Sequence, residues 1–273
     1  MWTPASVLDL WRLEQVGPDR HRGWGRNGNL ARLFGGQVAA QALAAAGSDV
    51  PSGWGPISLQ AYFVREGRAE VPVEYRVERV DDSVRRVTAS QSEKPILILD
   101  ARFTADGPAL PPPHQGEPTE PAWSPGNADE VAFLEEQARR MPFEVRFAGV
   151  PSRIAGLRGE RLPGQRFWFR AAERLPDAPL PHACALTYVS DLFLVSVALA
   201  RHGLPGDRPR SEIQAASLDH AVWFHRPARA DDWVCYEQAS PTSAGGRGLS
   251  TGRVVDLAGA VVATVRQEVL LRV

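Results

Sequence analysis

The second half of this chain repeats the first, and no other feature constrains the fold as much. Tyr62-Phe-Val-Arg-Glu-Gly-Arg-Ala-Glu70 aligns with Trp223-Phe-His-Arg-Pro-Ala-Arg-Ala-Asp231 at an offset of 161 (223 − 62), and the same offset carries Tyr75 onto Tyr236. A duplicated chain is expected to fold as two like units. The order of elements agrees. Residues 35–47 read as a helix of small side chains ending at Gly47. Residues 190–203 read as a second helix, nearly all apolar, opened by Ser190-Asp191 and closed by Gly203 and Pro205. A helix apolar on every side must be wrapped by other structure. After the first helix, residues 57–64, 71–80, 84–91 and 95–103 have strand composition; after the second, 213–225, 233–240, 248–256 and 260–271 do. The expected class is α+β, with two antiparallel sheets each wrapped around a long central helix. Residues 105–129 carry seven prolines and little aliphatic periodicity, so they read as a linker. The N-terminal unit then covers 1–104 and the C-terminal unit 130–273.

Composition excludes several classes. At 273 residues the chain has enough mass for a sizeable core, and 44% hydrophobic with 23% charged residues is ordinary for a globular protein. A net charge of −1 gives no field favouring nucleic acid or an anionic membrane. Two cysteines, Cys184 and Cys235, cannot build a disulfide scaffold. The N-terminus lacks a basic stretch leading into an apolar core, and no uninterrupted run of 18 apolar residues occurs, so a cytoplasmic location without membrane insertion is expected. Of 31 basic residues, all but Lys94 are arginine, as in a GC-rich bacterial genome.

The densest cluster of reactive side chains is residues 213–227, IQAASLDHAVWFHRP. On a regular strand Ser217, Asp219, Trp223 and His225 share one face, and His220 and Arg226 share the other. The two histidines therefore point apart and do not form a metal site, and Ser217 and His220 also face apart. His220, His225 and Arg226 read as structural or rim residues. Gly248-Leu-Ser-Thr-Gly252 matches G-x-S-x-G, but a nucleophile elbow needs a strand, a turn and a helix, followed by Asp and His. Here a strand follows, and all six histidines precede residue 248. His182-Ala-Cys184 lacks further ligands and reads as a loop. Phosphate-binding glycine motifs are absent.

Three polar residues remain inside apolar elements of the second half. Asp191 sits at the start of the apolar helix, where a carboxylate also serves as a cap. Ser217 lies in a strand, where a hydroxyl can bond backbone. Gln267 interrupts an apolar strand, where an amide can satisfy an edge. Together, a carboxylate, a hydroxyl and an amide can hold and activate a water without a histidine. The first half lacks this set. Ser217 falls on Pro56 at offset 161, and Gln267 falls on Arg102 at offset 165, counted back from the last hairpin.

Over almost its whole length the sequence resembles the acyl-CoA thioesterase II family. The resemblance is carried by Phe34-Gly-Gly-Gln-Val-Ala-Ala-Gln-Ala-Leu43, Tyr188-Val-Ser-Asp-Leu192, Leu218-Asp-His-Ala-Val-Trp-Phe-His-Arg-Pro227 and Gly245-Gly-Arg-Gly248. It implies a double hotdog fold, an acyl-CoA substrate, no cofactor or metal, and assembly as a homodimer or higher homo-oligomer. The family's catalytic Asp, Thr and Gln fall on Asp191, Ser217 and Gln267. Backbone N–H groups at Gly36 and Gln37 are candidates for polarising the thioester carbonyl. Four positions depart from the family pattern: Ser217 for Thr, Gln60 for His, a short hairpin at 80–84 without Arg-Asp-Gly, and Val269 for Gly. The second and third bear on the acyl channel, so the alternative is a catalytically silent acyl-CoA-binding protein. A hotdog hydratase is disfavoured because Gly-Asp-x-Asn-Pro is absent.

Overall fold

The computed structural model describes residues 6–25, 32–105, 128–206 and 212–272. In the first half a hairpin of β1 (Glu14–Gly17) and β2 (Arg20–Gly23) precedes α1 (Gly35–Ala46). Four strands follow: β3 (Trp54–Phe63), β4 (Val73–Arg79), β5 (Val84–Gln91) and β6 (Lys94–Ala105). The second half runs α2 (Ala128–Arg140), β7 (Phe143–Phe147), α3 (Ser152–Leu157), β8 (Gly164–Ala171), α4 (Pro179–Ser190) and α5 (Leu194–Ala200). It ends with β9 (Gln214–Ser217), β10 (Asp219–Phe224), β11 (Val234–Ala244), β12 (Arg247–Asp256) and β13 (Val261–Arg272). The Pro-rich 105–129 segment lies almost wholly outside the described residues.

The strands form one 13-stranded antiparallel sheet, not the two separate sheets expected. From its centre outward, β3-β6-β5-β4-β2-β1 on one side matches β10-β13-β12-β11-β8-β7 on the other, so each half has the same strand order. The halves fuse because β3 and β10 pair with each other, from Tyr62 opposite Asp219 to Ser58 opposite Trp223. Outer strands β1, β2, β7 and β8 had no expected counterpart; they are short or follow the linker, where alternation is weak. α1 packs on β4, β5 and β6, α4 on β3 and β10, and α5 on β11, β12 and β13.

The second helix differs from its expected span. Ser190-Asp191 was read as an N-cap, but the helix starts at Pro179 and ends at Ser190, with Asp191 as its C-cap. Pro179 at the first turn was the true start signal. After Asp191 the chain breaks, Phe193 adopts φ 67°, and α5 begins at Leu194. Carbonyls on either side of the break accept hydrogen bonds from side chains of the sheet. Tyr236 Oη donates to Ser190 O at 2.8 Å, Gln238 Nε2 to Leu192 O at 2.7 Å, and Ser250 Oγ to Leu194 O at 2.9 Å. Ser250 is thus a strand residue supporting a helix start, as the failed G-x-S-x-G context implied. His182 and Cys184 lie inside α4, not in a loop. The stretch Pro179–Ala200 is long and apolar enough to cross a bilayer by composition, yet 83% of its most apolar window is buried in this core.

α1 and α4 run antiparallel in close contact. A Cβ on Gly36 would come within 2.5 Å of the Tyr188 carbonyl, and one on Gly35 within 2.9 Å of both Asp191 Oδ2 and the Phe63 ring. Reciprocally, a Cβ on Gly47 would come within 2.5 Å of the Leu180 side chain. Gly36→Ala is expected to destabilise the fold by about 1–3 kcal/mol through overpacking against backbone. Gly149, whose added Cβ meets nothing within 4 Å, should tolerate alanine to within about 0.5 kcal/mol. Urea unfolding of both variants checks this, and equal midpoints would overturn it.

Candidate active site

Asp191, Ser217 and Gln267 come from three elements: the end of α4, the end of β9 and the middle of β13. They form one hydrogen-bonded chain. Ser217 Oγ donates to Asp191 Oδ1 at 3.2 Å, and Gln267 Nε2 donates to Ser217 Oγ at 2.9 Å. The Gly36 N–H, in the first turn of α1, donates to Asp191 Oδ2 at 2.7 Å. Asp191 is therefore at the C-terminus of its own helix, where its charge is disfavoured, and at the N-terminus of the neighbouring helix, where it is favoured. The cap expected of Asp191 at the start of its own helix is replaced by this contact between helices.

Gly36 and Gln37 were candidates for polarising a carbonyl. The Gly36 N–H is already engaged by Asp191, and the Gln37 N–H donates to Phe34 O at 3.1 Å in the helix's first turn. The Gln37 side chain donates to Leu10 O at 2.9 Å and is fully buried. As the site stands, both N–H groups have acceptors of their own.

Two further residues complete the chain, and both were missed from sequence. His220 Nδ1 lies 2.7 Å from Gln267 Oε1, and His220 Nε2 lies 2.7 Å from Ser190 Oγ. Because Gln267 directs its N–H to Ser217, its carbonyl oxygen faces His220, so Nδ1 carries the proton. In the neutral ring Nε2 is then an acceptor, and the single Ser190 hydroxyl proton is shared between it and the Thr187 carbonyl at 2.9 Å. His220 is fully buried, and that burial lowers its pKa, against opposing effects from Asp191, Gln267 and Asp219.

Strict strand alternation put Ser217 and His220 on opposite faces. A break at Leu218 between β9 and β10 brings them together. Ser217 pairs with Val269 (217 + 269 = 486) and Ala221 with Arg266 (221 + 266 = 487), so the register slips by one residue, as in a β-bulge. Asp219 holds the slip by accepting the Glu268 N–H at 2.6 Å. The same slip occurs in β3, between Pro56 opposite Phe103 and Ser58 opposite Arg102. His225 stays apart, bonding Thr264 Oγ1 at 2.7 Å.

Two family models cover the chain. One, described as the acyl-CoA thioesterase N-terminal domain, matches residues 21–105, and the other, described as the acyl-CoA thioesterase C-terminal domain, matches residues 104–271. The chain belongs to the acyl-CoA thioesterase II family. It is 34% identical to acyl-coenzyme A thioesterase 8 of Homo sapiens, over 98% of this chain and 89% of that protein. It is 29% identical to acyl-CoA thioesterase 2 of Haemophilus influenzae, over 98% and 97% of the two chains. Among solved structures, acyl-CoA thioesterase II TesB2 from Mycobacterium marinum matches with TM-score 0.77 and 34% identity over 97% of this chain and 96% of that one. A hotdog-fold protein from Alicyclobacillus acidocaldarius, 17% identical with TM-score 0.73 over 98% of each chain, shares the fold alone.

Within this family member the four departures occupy different places. Gln60 is exposed on the outer side of β3, opposite Ala221. The short hairpin at 80–84 is closed by Asp81, whose Oδ1 accepts the N–H groups of Ser83 at 2.7 Å and Val84 at 2.8 Å. Val269 is fully buried opposite Ser217. Only Ser217 lies in the hydrogen-bonded chain.

The two halves can now be superposed residue by residue. α1 and α4 are related by 144 (179 − 35), β3 and β10 by 161, and β6 and β13 by 166 (269 − 103, the partners of Ser217 and Pro56). Ser190, Asp191, Ser217, His220 and Gln267 correspond to Ala46, Gly47, Pro56, Leu59 and Ala101. Gln267 therefore answers to buried Ala101, not exposed Arg102, because an inward-facing residue must match an inward-facing one. Every polar member of the chain has an apolar or side-chain-free counterpart.

His21, His182, His220 and His225 each have a pKa lowered from 6.5, chiefly by burial. Each is neutral in the fold and takes up a proton more readily once unfolded, so the unfolded chain binds more protons below about pH 6.5. Stability should be steady from pH 8 to 7 and fall as pH drops through about 6.5 to 5.5. Thermal melts across that range check this; an unchanged melting temperature would sink it.

Proposed function

We propose that the chain hydrolyses acyl-CoA thioesters to a free acid and CoA, using a water activated by Asp191. The observation that carries this reading is the bonded chain Asp191–Ser217–Gln267 at the N-terminus of α1. One Asp191 oxygen is held by Gly36, and Asp191 is the only carboxylate of the three. Ser217 donates to Asp191 while accepting from Gln267, so both its proton and a lone pair are occupied. One lone pair of Ser217 Oγ is left, with which it can accept a hydrogen bond from the attacking water. In the reaction, the water's proton passes to Asp191 as its oxygen bonds to the thioester carbon. The C–S bond then breaks, and the proton returns to the departing sulfur. The apolar counterparts in the first half support one hydrolytic site per chain, and the matched strand orders support a double-hotdog reading of the fused sheet.

His220 is a positioning residue here. It fixes which way round the Gln267 amide sits, and Ser190 fixes the ring. Gln267→Leu and His220→Leu should each lower kcat by about tenfold or more while changing KM less, since small displacements at a reacting centre are costly. His220→Gln, which keeps a donor toward Gln267, should retain more activity than His220→Leu. Equal activity of those two variants would remove His220 from the mechanism.

Asp191→Asn decides the main assignment. Asparagine keeps an oxygen for Gly36 or Ser217 and similar shape, but cannot take a proton. Turnover should fall by about 10²–10⁴ with the fold retained, measured as thiol release against a melting curve. A folded variant working within about threefold of wild type would exclude the base role, because a lost base costs far more. Ser217→Thr should be tolerated, Ser217→Ala should lose less than Asp191→Asn, and mass spectrometry during turnover should find no acyl ester on Ser217.

A further inference from the structure

The pairing between halves has a second end. At one end the α1 N-terminus meets the α4 C-cap, where Gly36 bonds Asp191. At the other, the α4 N-terminus meets the α1 C-cap, where the Leu180 side chain covers Gly47. Since Gly36 corresponds to Leu180 and Asp191 to Gly47, this is the symmetry-related position of the catalytic site. A cavity of about 710 Å³ lies there, within the range typical of ligand sites.

Its lining is divided by chemistry. Pro56, Ile57, Leu186 and Phe224 supply apolar surface, and Pro56 is the counterpart of Ser217. His182 and Arg226 line the same cavity. His182 is 5% exposed. Its Nδ1 accepts the Ala230 N–H at 3.1 Å, so its proton is on Nε2, and that buried donor has no hydrogen-bond partner. The Pro176 carbonyl acts on the ring without meeting hydrogen-bond geometry. Arg226 Nε is likewise buried and unpartnered among the described residues. Buried donors without acceptors are costly unless a ligand supplies them. Arg229 and Asp177 also line the cavity but neutralise each other at 2.7 Å, Arg229 bonding Asp231 as well at 2.7 Å, so Arg226 is the cation of the lining left to meet an anion.

We infer that this cavity is a second, non-hydrolytic binding site for an acyl chain carrying an anionic head, with the anion against Arg226 and His182. The inference rests on the proposed acyl-CoA activity for its ligand class. The head group has two sources, the acyl-CoA substrate or the fatty-acid product. The counterparts of Asp191, Ser217 and Gln267 here are Gly47, Pro56 and Ala101, so the site lacks the proposed water-activating trio and binds without cleaving.

Calorimetric titration of the full chain tests this, with a non-hydrolysable thioether analogue of a long-chain acyl-CoA, the matching free fatty acid, and CoA alone. Two equivalents per chain are expected for the analogue or the acid, and which of them fills the second site names the source. Arg226→Gln should weaken the second equivalent by roughly tenfold or more. Ala228→Trp, placing an indole at the cavity wall, should abolish it, and both variants should keep thiol release within about twofold. One equivalent in every arm, or a second equivalent for CoA alone that survives Ala228→Trp, overturns the inference. Two equivalents without thiol release from any acyl-CoA would uphold the cavity and overturn the hydrolytic reading instead.

Discussion

The hydrogen bond from the Gly36 N–H to the Asp191 carboxylate holds the functional half of this molecule together. It requires two buried helices to approach until a backbone amide of one touches a side chain ending the other. Only glycine at 35 and 36 permits that approach, because any Cβ there meets backbone, carboxylate or ring. The bond also turns an unfavourable position into a favourable one. A carboxylate at the end of α4 opposes that helix's dipole, but the start of α1 offers the opposite sign and an unsatisfied N–H. The antiparallel packing of the helices thus creates the electrostatic setting of the site. The sheet side chains Tyr236, Gln238 and Ser250 hold open the break that lets Asp191 leave the helix.

A second constraint is the one-residue slip at Leu218. Without it Gln267 would reach either Ser217 or His220, but not both. With it, the amide bridges hydroxyl and imidazole, and a chain of five side chains runs from Ser190 to Asp191 through the sheet. The slip belongs to both halves, so the duplicated frame itself contains it. At the positions of this hydrogen-bonded chain the halves differ in side chains: polar at 190, 191, 217, 220 and 267, apolar or absent at 46, 47, 56, 59 and 101.

Much of this was legible in the sequence. The repeat gave the like units, and the strand runs on either side of the linker lie close to β3 to β6 and β10 to β13. Asp191, Ser217 and Gln267 stood out as polar groups in apolar runs. The helix end at Ser190 was misread because Ser-Asp followed by apolar residues has the pattern of an N-cap, while here Ser190 bonds backward to Thr187. His220 was read as structural because alternation is a local rule and the slip is a tertiary one. A signal for it did exist. At offset 161 His220 corresponds to Leu59, and a polar residue whose repeat counterpart is a core leucine must be satisfied by something the other half lacks. The separate sheets were expected because nothing in a single strand's composition says whether its edge is paired; β3 and β10 are joined by backbone, which every sequence supplies.

That asymmetry also explains why one frame can carry two unlike cavities. A duplicated fold creates two helix-end junctions whether or not both are used. At the first junction small residues admit a carboxylate, the base of the proposed mechanism. At the second, Leu180 fills the carboxylate's place, which removes the chemistry but leaves the space beside it unfilled. A purely degenerate junction would be expected to close with apolar packing, since buried donors without partners cost stability. His182 and Arg226 keep two such donors at the cavity instead. The cost is offset only when an acceptor arrives, and this argues that the second junction retained binding after it lost, or without ever having, catalysis.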